Sequence, residues 1–259
     1  MDLGIKGRKA IVCASSRGLG RATAERLAEA GCDVVINGRD EARLAATATD
    51  MAKRFSVKVT PVAADLATPE GQKALLAACP DPDILINNNG GPPLRDFREL
   101  TRQQMIDGVI ANMVVAIELI QKTIGPMTER RFGRIVNITS GSVKMPLAGL
   151  DLSSGARAGL TAFLAGVART VADKNVTINH VLPGAFDTDR IRGVFNNTAK
   201  AKGISPEEVA AARAATIPAK RFGQPDEFGA ACAFLCSAQA GYITGQNLLI
   251  DGGVFPGAF

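Results

Sequence analysis

The chain has 259 residues, 46% of them hydrophobic and 21% charged, which is enough for one large domain over residues 1–259 with a single extended sheet. We expect no apolar run that spans a bilayer and no basic-then-apolar leader, and this pattern predicts a cytoplasmic protein with no membrane partner. The net charge of +5 comes from scattered basic residues with few aromatic ones, which argues against nucleic acid as a partner and favours anionic small molecules.

The first predicted unit, residues 10–31, is a strand, a tight turn and a helix. The apolar strand Ala10–Ala14 precedes the turn, and helical periodicity then continues to a stop at Gly31. Glycines let the backbone approach a ligand, and free N–H groups at a helix start favour negative charge, so the unit predicts pyrophosphate binding. Ala14 stands where a dinucleotide fingerprint has its first glycine, and an ordinary tight turn is the alternative. The turn consists of Ser15, Ser16, Arg17, Gly18, Leu19 and Gly20.

Further strands alternate with helices along the chain. The pattern predicts strands over 33–37, 57–63, 84–87, 134–138, 176–182 and 246–250, and helices over 40–55, 68–78, 101–127, 153–174, 205–215 and 225–236. Alternation without repeats predicts an α/β fold, a doubly wound, Rossmann-like sheet of seven parallel strands with helices on both faces. Ligands bind beyond the carboxyl ends of such strands. The segments at those ends are Ser15–Gly20, Arg39, Asp65, Asn87–Gly91, Ser140 and Pro183–Thr188.

The cysteines give no sign of a metal centre or a disulfide framework. There are five, an odd number, and no two of them form a CxxC pair. Cys232 and Cys236 lie one turn apart in an apolar helical segment, where buried thiols are expected rather than metal ligands. The sequence therefore predicts no metal site and a reducing compartment.

Four groups of residues carry a recognisable pattern. They are the turn Ser15–Gly20; Asn87-Asn88-Asn89-Gly90; Pro183-Gly184 with Thr188; and Arg221–Glu227 with Ile243–Gln246 and Asp251–Gly253. In this order they resemble the short-chain dehydrogenase/reductase family, and most closely its β-ketoacyl-acyl-carrier-protein reductases. The resemblance covers nearly the whole chain. It implies an oxidoreductase that transfers hydride between a nicotinamide cofactor and a small carbonyl or alcohol substrate.

The resemblance also indicates which cofactor to expect. NAD-preferring members have an acidic residue after the second strand, whereas this chain has Arg39 there and Arg17 in the facing turn. Two guanidiniums beside the ribose suit a 2′-phosphate, so we expect NADP(H) rather than NAD; two solvated arginines are the alternative. The cofactor contacts implied by the resemblance are Ser15, Ser16, Arg17, Gly18, Leu19, Gly20, Arg39, Asp65, Leu66, Asn89, Gly90, Arg157, Pro183, Gly184 and Thr188.

The family's four catalytic residues are only half preserved. Its members use a tyrosine that passes the proton, a lysine four residues later, a serine thirteen residues before the tyrosine, and a helical asparagine that anchors a water chain. By this resemblance Ser140 matches the serine and Asn112 the asparagine. Counting thirteen residues from Ser140 gives Ser153, and four more give Arg157, so the tyrosine and the lysine are both replaced. Because Ser140 and Asn112 remain, we expect a carbonyl reductase.

The replaced pair leaves several interpretations open. A serine hydroxyl is far less acidic than a phenol, whose pKa is ~10, and an arginine does not readily release a proton. In the first interpretation, Ser153 positions a water and Arg157 supplies the field and holds ribose hydroxyls. In the second, another group such as Asp151 donates the proton. In the third, the protein binds nucleotide without turnover; a different reaction on the same scaffold is a further alternative.

Residues 188–220 are predicted to form a lid insert at the carboxyl edge of the sheet. Ser205-Pro206 is a typical helix start, and a short helix should run to Ala215. Basic residues in the insert could attract an acidic or carrier-bound substrate, with a solvated face as the alternative. They are Arg190, Arg192, Lys200, Lys202 and Arg213.

The helix predicted over 153–174 has small residues on one face. Glycine within a helix destabilises it by ~1 kcal/mol relative to alanine, so a face of this kind suggests the close approach of another backbone. We therefore expect a homo-oligomer, a dimer or a tetramer as in the resembling family; close packing on the chain's own sheet is the alternative. The small residues are Gly155, Gly159, Ala162 and Gly166.

Overall fold

A computed structural model describes residues 2–91 and 94–258 of the chain. Within these ranges the strands are β1 (Lys9–Val12), β2 (Asp33–Gly38), β3 (Val59–Ala63), β4 (Ile84–Asn87), β5 (Gly133–Ile138), β6 (Val176–Pro183) and β7 (Asn247–Ile250). The α-helices are α1 (Gly18–Glu29), α2 (Glu41–Arg54), α3 (Pro69–Ala78), α4 (Arg102–Val109), α5 (Val115–Glu129), α6 (Asp151–Val171), α7 (Asp189–Lys202), α8 (Pro206–Ala215) and α9 (Pro225–Leu235).

The strands form one parallel sheet in the order β3-β2-β1-β4-β5-β6-β7. This arrangement confirms the predicted seven-stranded, doubly wound, Rossmann-like sheet. The chain crosses over between β3 and β4, so β1 and β4 are neighbours although two strands separate them in sequence. Ligands of such sheets bind beyond the carboxyl ends of the strands at this switch point.

Side chains alternate between the two faces of the sheet, and each face is covered by helices. On β1, Val12 points into a core shared with α1, α2 and α9, whereas Ile11 points into a core shared with α3, α5 and α6. Burial of a Leu or Ile side chain contributes roughly 1.5–3 kcal/mol to stability. These two apolar layers hold the carboxyl ends of the strands in fixed register and therefore position the loops that follow them.

The helix predicted over 101–127 is interrupted. A π-helical turn at Ile110–Val114 separates α4 from α5, and the amide of Val115 donates to the carbonyl of Ile110. Such turns insert one extra residue and are frequent at functional sites. The inserted turn contains Asn112, so the irregularity lies at a predicted site residue.

By length and composition alone, residues 102–129 are one helical segment that could cross a membrane, which corrects the expectation that no such run exists. Three of its residues, Val115, Leu119 and Ile120, are buried in the core that covers the sheet. The apolar middle of the segment therefore supplies core packing.

The insert contains two helices, whereas the sequence predicted only α8. α7 was not predicted because it contains three residues of low helix propensity, Gly193, Asn196 and Asn197. Phe195 and Ala199, one turn apart, are buried and hold the helix on the body of the protein. α8 begins at the predicted cap, where Ser205 accepts a hydrogen bond from the amide of Glu208.

Candidate active site

The β1–α1 turn contains two residues in the left-handed backbone conformation. Ala14 adopts the left-handed conformation with φ +46°, and Gly18 follows with φ +59°. A Cβ at Gly20 would clash with the carbonyl oxygen of Ala14. The turn thus places an alanine in the conformation that glycine normally supplies, and it still requires glycine at position 20 for close approach of the backbone.

The two serines of this turn have different surroundings. Ser15 is fully buried; its hydroxyl donates to the carbonyl of Val12 at 2.6 Å and accepts from the amide of Asn37 at 3.0 Å. Ser16 is half-buried, and Arg17 is exposed at the start of α1. The Ser15 side chain therefore braces the turn, while the side chains of Ser16 and Arg17 are more accessible to solvent.

The residues after β2 and β3 form the outer end of the site. The Arg39 side chain is 81% exposed, and its Nη1 lies 3.8 Å from Oδ2 of Asp65. Asp65 is itself half-exposed, and its other carboxylate oxygen accepts from the amide of Ala67 at 3.0 Å. Leu66 is buried in the core. Arg39 is thus free to turn towards an anion next to the β1–α1 turn.

Other predicted segments converge on the same turn. Nδ2 of Asn88 donates to the carbonyl of Ala14 at 3.2 Å, which joins the end of β4 to the end of β1. The methyl group of Thr188 would lie 3.9 Å from a Cβ at Gly18, so the start of the insert lies over the turn. The amide of Gly184 donates to the carbonyl of Ile250 at 2.8 Å, which fixes the loop after β6.

Ser153 and Arg157 are in contact on the first turns of α6. Nε of Arg157 donates to Oγ of Ser153 at 3.2 Å. Nη1 donates to the carbonyl of Ile138 at 2.9 Å, and Nη2 donates to the carbonyl of Asn89 at 3.3 Å. The guanidinium therefore ties α6 to the carboxyl ends of β4 and β5.

Arg157 is a buried cation without a carboxylate within 4.0 Å among the described residues. It is 6% exposed, and all three of its hydrogen-bond acceptors are neutral. Burial, and to a lesser degree the charge of Arg190, lowers the pKa of Arg157 to about 10. A buried charge of this kind is costly unless hydrogen bonds or an anion compensate it.

Asn112 lies within the π turn next to this pair. Its Nδ2 donates to the carbonyl of Gly108 at 3.0 Å, while its buried Oδ1 has no partner among the described residues. Oδ1 of Asn87 is unpartnered in the same way, and both residues line a cavity of about 20 Å³ together with Arg157. A cavity of this size with two unused acceptors and a guanidinium suits one water molecule.

A larger cavity of about 250 Å³ opens beside Ser153 and Asn112. Its apolar wall includes Leu100 and Leu152. The remaining lining residues are Gly90, Arg95, Gln104, Asp107, Gly108, Ala111, Gly149 and Leu150. The cavity thus combines an apolar wall with a few polar groups, which is typical of a small-molecule site.

Ser140 lies at the end of β5 and begins a short 3₁₀ turn. Its hydroxyl accepts from the amide of Ser142 at 3.1 Å. A Cβ on the next residue, Gly141, would lie 3.2 Å from the carbonyl oxygen of Pro183. Ser140 is therefore at the same sheet edge as the loop after β6, but it does not line either cavity.

Three other titratable residues do not join this group. Asp151 is exposed, and its carboxylate accepts from the amide of Gly149 at 3.0 Å. His180 is buried within β6, and desolvation lowers its pKa to about 4. Tyr242 is fully exposed after α9. None of the three lines either cavity.

The side chain of Asn89 forms a structural link that the sequence did not reveal. Nδ2 of Asn89 donates to the carbonyl of Ala111 at 2.7 Å, and its own carbonyl accepts from Arg157. In the resembling family the motif at positions 87–90 reads Asn-Asn-Ala-Gly, so the asparagine at position 89 was the available signal, because an alanine there could not reach the π turn. Asn89 therefore connects the π turn to the Ser153–Arg157 pair.

The buried cysteines stand apart from this site, except that Cys13 lines the small cavity. Burial raises the pKa of Cys13 to about 12, so its thiol stays protonated. In the described ranges no three His, Cys, Asp or Glu side chains cluster to hold a metal ion.

Comparisons with known proteins agree with this geometry. The family model described as Enoyl-(Acyl carrier protein) reductase matches residues 13–255. The chain is 32% identical over 259 residues to 3-oxoacyl-(acyl-carrier-protein) reductase FabG of Aquifex aeolicus, covering 98% of this chain and all of that protein. It is also 32% identical over 250 residues to the NADPH-dependent reductase BacG of Bacillus subtilis, covering 95% and 97% of the two chains.

The chain is also similar to a solved structure over the whole length of that structure. L-sorbose reductase from Gluconobacter frateurii, in a complex with NADPH and L-sorbose, superposes with a TM-score of 0.95 at 29% identity, covering 99% of this chain and 100% of that one. With the match to the family model, the sheet order and the geometry of the first turn, these similarities place the chain in the short-chain dehydrogenase/reductase family of oxidoreductases, close to the FabG-type reductases.

Proposed function

We propose that this protein reduces a carbonyl compound to an alcohol with NADPH. The observation that carries the proposal is the Ser153–Arg157 pair, which lies between the 250 Å³ cavity and the sheet edge where the β1–α1 turn ends. FabG, BacG and L-sorbose reductase are named for the reduction of a substrate, and two of the three are described with NADPH.

The described residues fit a dinucleotide phosphate. Gly20 lets α1 pack closely against the carbonyl of Ala14, and the free amides at the start of α1 favour the negative charge of a pyrophosphate. Arg17 and Arg39, both exposed, would hold a 2′-phosphate, and Asp65 would accept from the adenine amino group. We assign the nicotinamide end to Asn89, Gly90 and Arg157 with the loop Pro183, Gly184 and Thr188.

The proton reaches the substrate oxygen through the hydroxyl of Ser153 and a water. When bound, NADPH would supply the hydride for the carbonyl carbon. Ser140 and Ser153 orient the carbonyl oxygen by hydrogen bonds, and Arg157 stabilises the negative charge that develops there. Asn112 holds a water in the small cavity. An aliphatic hydroxyl is a weak acid, so we expect slower turnover than with a positioned phenol.

The decisive experiment is a titration of the protein with NADPH and NADH, followed by a panel of ketones, sugars and acyl thioesters at fixed NADPH. We expect tighter binding of NADPH and oxidation of NADPH by at least one carbonyl compound. Tight binding of NADPH with no oxidation by any member of the panel would contradict reduction. It would favour the alternative of a nucleotide-binding protein without turnover.

We also propose a homo-oligomer that uses the small-residue face of α6. Gly155 and Gly166 are exposed, and no atom lies within 4 Å of a Cβ at either position; at Gly159 a Cβ would meet only Met113. The chain's own sheet therefore does not use this face. Gly166→Glu should lower the mass measured by light scattering, whereas Lys53→Glu on the exposed side of α2 should leave it unchanged.

We further propose that residues 188–220 act as a lid and that the protein is cytoplasmic. Thr188, at the start of the insert, lies near the β1–α1 turn, where its methyl group would be 3.9 Å from a Cβ at Gly18, and α7 and α8 follow it in the chain. The five cysteines are all unpaired and buried, which suits a reducing compartment. Fixing α7 to the body with a disulfide should slow turnover, and reductant should restore it.

A further inference from the structure

The basic residues of the insert differ in what they contact. Arg192 forms a two-pronged ion pair with Asp187, with N–O distances of 2.8 and 2.9 Å. Arg213 donates to the hydroxyl of Thr216. Arg190 lies beside the segment that follows β4, where its Nη2 would be 3.0 Å from a Cβ at Gly91.

Two guanidiniums therefore flank the segment 89–91 from opposite elements. Arg190 reaches it from α7, and Arg157 reaches it from α6 by donating to the carbonyl of Asn89 at 3.3 Å. Gly90 lies between these contacts. It is exposed, it has no atom within 4 Å of a Cβ position, and it lines the 250 Å³ cavity with Ser153.

The charge of these two arginines is not neutralised within the described residues. Neither forms an ion pair within 4.0 Å there. A guanidinium has five N–H donors. Arg157 uses three of them, so two remain. Arg157 and Arg190 thus converge without a carboxylate within 4.0 Å, which favours an anionic ligand between them. The 250 Å³ cavity beside them is also lined by one carboxylate, Asp107, and one further cation, Arg95.

We propose that the substrate carries a carboxylate close to its reacting carbonyl group and that Arg190 binds this carboxylate. The inference rests on the proposed carbonyl reduction and narrows its substrate class to oxo acids. A planar guanidinium fork matches a carboxylate in a two-pronged arrangement, and Gly90 leaves the space in which that group would lie. The buried Arg157, which reaches the same segment from α6, adds its positive charge to the field at this carboxylate.

The test compares oxo acids with their neutral esters. Binding of 2-oxobutanoate, acetoacetate and their methyl esters to the NADP⁺ complex is measured by calorimetry, and NADPH oxidation is measured with the same compounds. We expect at least one acid to bind more tightly than its ester. Arg190→Gln should weaken the binding of that acid by about tenfold or more and leave the binding of its ester unchanged. Lys200→Gln, which removes a charge from the other end of α7, is the matched control.

Each other outcome has a separate meaning. Equal binding of acids and esters by the wild type would overturn the inference. An equal loss of affinity for the acid in Arg190→Gln and Lys200→Gln would also overturn it. If Arg190→Gln instead weakened the binding of NADPH, the arginine would bind a cofactor phosphate and the inference would be wrong. Selective binding of an acid without NADPH oxidation would support the anion site while contradicting reduction.

Discussion

Ser153 accepts a hydrogen bond from Arg157 at 3.2 Å, one helical turn away on α6. Because the serine oxygen is the acceptor, its own proton is free to be donated. The hydroxyl borders the 250 Å³ cavity, so a substrate oxygen or a water there can accept that proton. The guanidinium thus orients the hydroxyl as a donor, although the hydroxyl's acidity stays low.

Restoring the family's tyrosine and lysine should raise the rate. The cavity beside Ser153 has room for a phenol ring, and a lysine at 157 would lower the pKa of that phenol. A positioned general acid contributes ~10²–10⁴ in rate, so Ser153→Tyr with Arg157→Lys should increase kcat for a simple ketone by about tenfold or more. The measurement is NADPH oxidation, with each single variant as a control. A double variant that binds NADPH normally but gains no rate would show that the cavity no longer presents the carbonyl to position 153.

Arg39 should decide between the two nicotinamide cofactors. Among the described residues, its exposed guanidinium forms one ion pair, a 3.8 Å contact with Asp65, so it can turn to a 2′-phosphate. A hydrogen bond to a charged group contributes about 1.5–3 kcal/mol, which corresponds to about 10–150-fold in affinity. Arg39→Asp should lower the preference for NADPH over NADH by about that factor, measured by fluorescence titration. Arg43→Asp, on the next helix, should leave the preference unchanged; if both variants behaved alike, Arg39 would not contact the phosphate.

The fold could be predicted because its signals are local. Each strand is a short apolar run, and each helix that packs on the sheet repeats its apolar residues at helical spacing. α7 was missed because Gly193, Asn196 and Asn197 lower its helix propensity and because its buried residues, Phe195 and Ala199, are too few to give a helical pattern. The π turn was missed because a hydrophobic pattern does not record which carbonyl each amide reaches.

The site was predictable only in part, for the same reason. Motif spacing identified Ser153 and Arg157, and the structure shows them in contact. The link from Asn89 to Ala111 and the position of Arg190 over Gly91 join residues far apart in sequence. The spacing of residues in a motif does not predict contacts of this kind. The arrangement of charges around the cavity could therefore be recognised only in the structure.

Ala14 should be a strained position that glycine relieves. An L-residue in the left-handed region costs roughly 1–2 kcal/mol, while the greater freedom of glycine in the unfolded chain offsets about 0.4–1 kcal/mol. Ala14→Gly should therefore raise the free energy of unfolding by about 0.5–1 kcal/mol. Urea unfolding measures it, with Ala46→Gly on the exposed face of α2 as a control that should lose about 1 kcal/mol. A loss at both positions would mean that Ala14 is not strained.

His180 should make the protein sensitive to mild acid. Burial lowers its pKa from 6.5 to about 4, and its Nδ1 has no partner among the described residues. Between these values the unfolded chain binds a proton that the folded protein does not bind, so the free energy of unfolding falls as the pH decreases from 6.5. Below about pH 4 both states are protonated and the loss is complete. A shift of this size corresponds to about 3 kcal/mol.

The contribution of His180 can be isolated because the carboxylates are the same in a single variant. Urea unfolding of the wild type and of His180→Gln at pH 7.5 and pH 4.5 gives the pH-dependent loss for each protein. We expect the wild type to lose about 2–3 kcal/mol more than the variant. Equal losses would contradict the prediction. They would mean that the imidazole takes up its proton in the folded protein as readily as in the unfolded chain, despite its burial on β6.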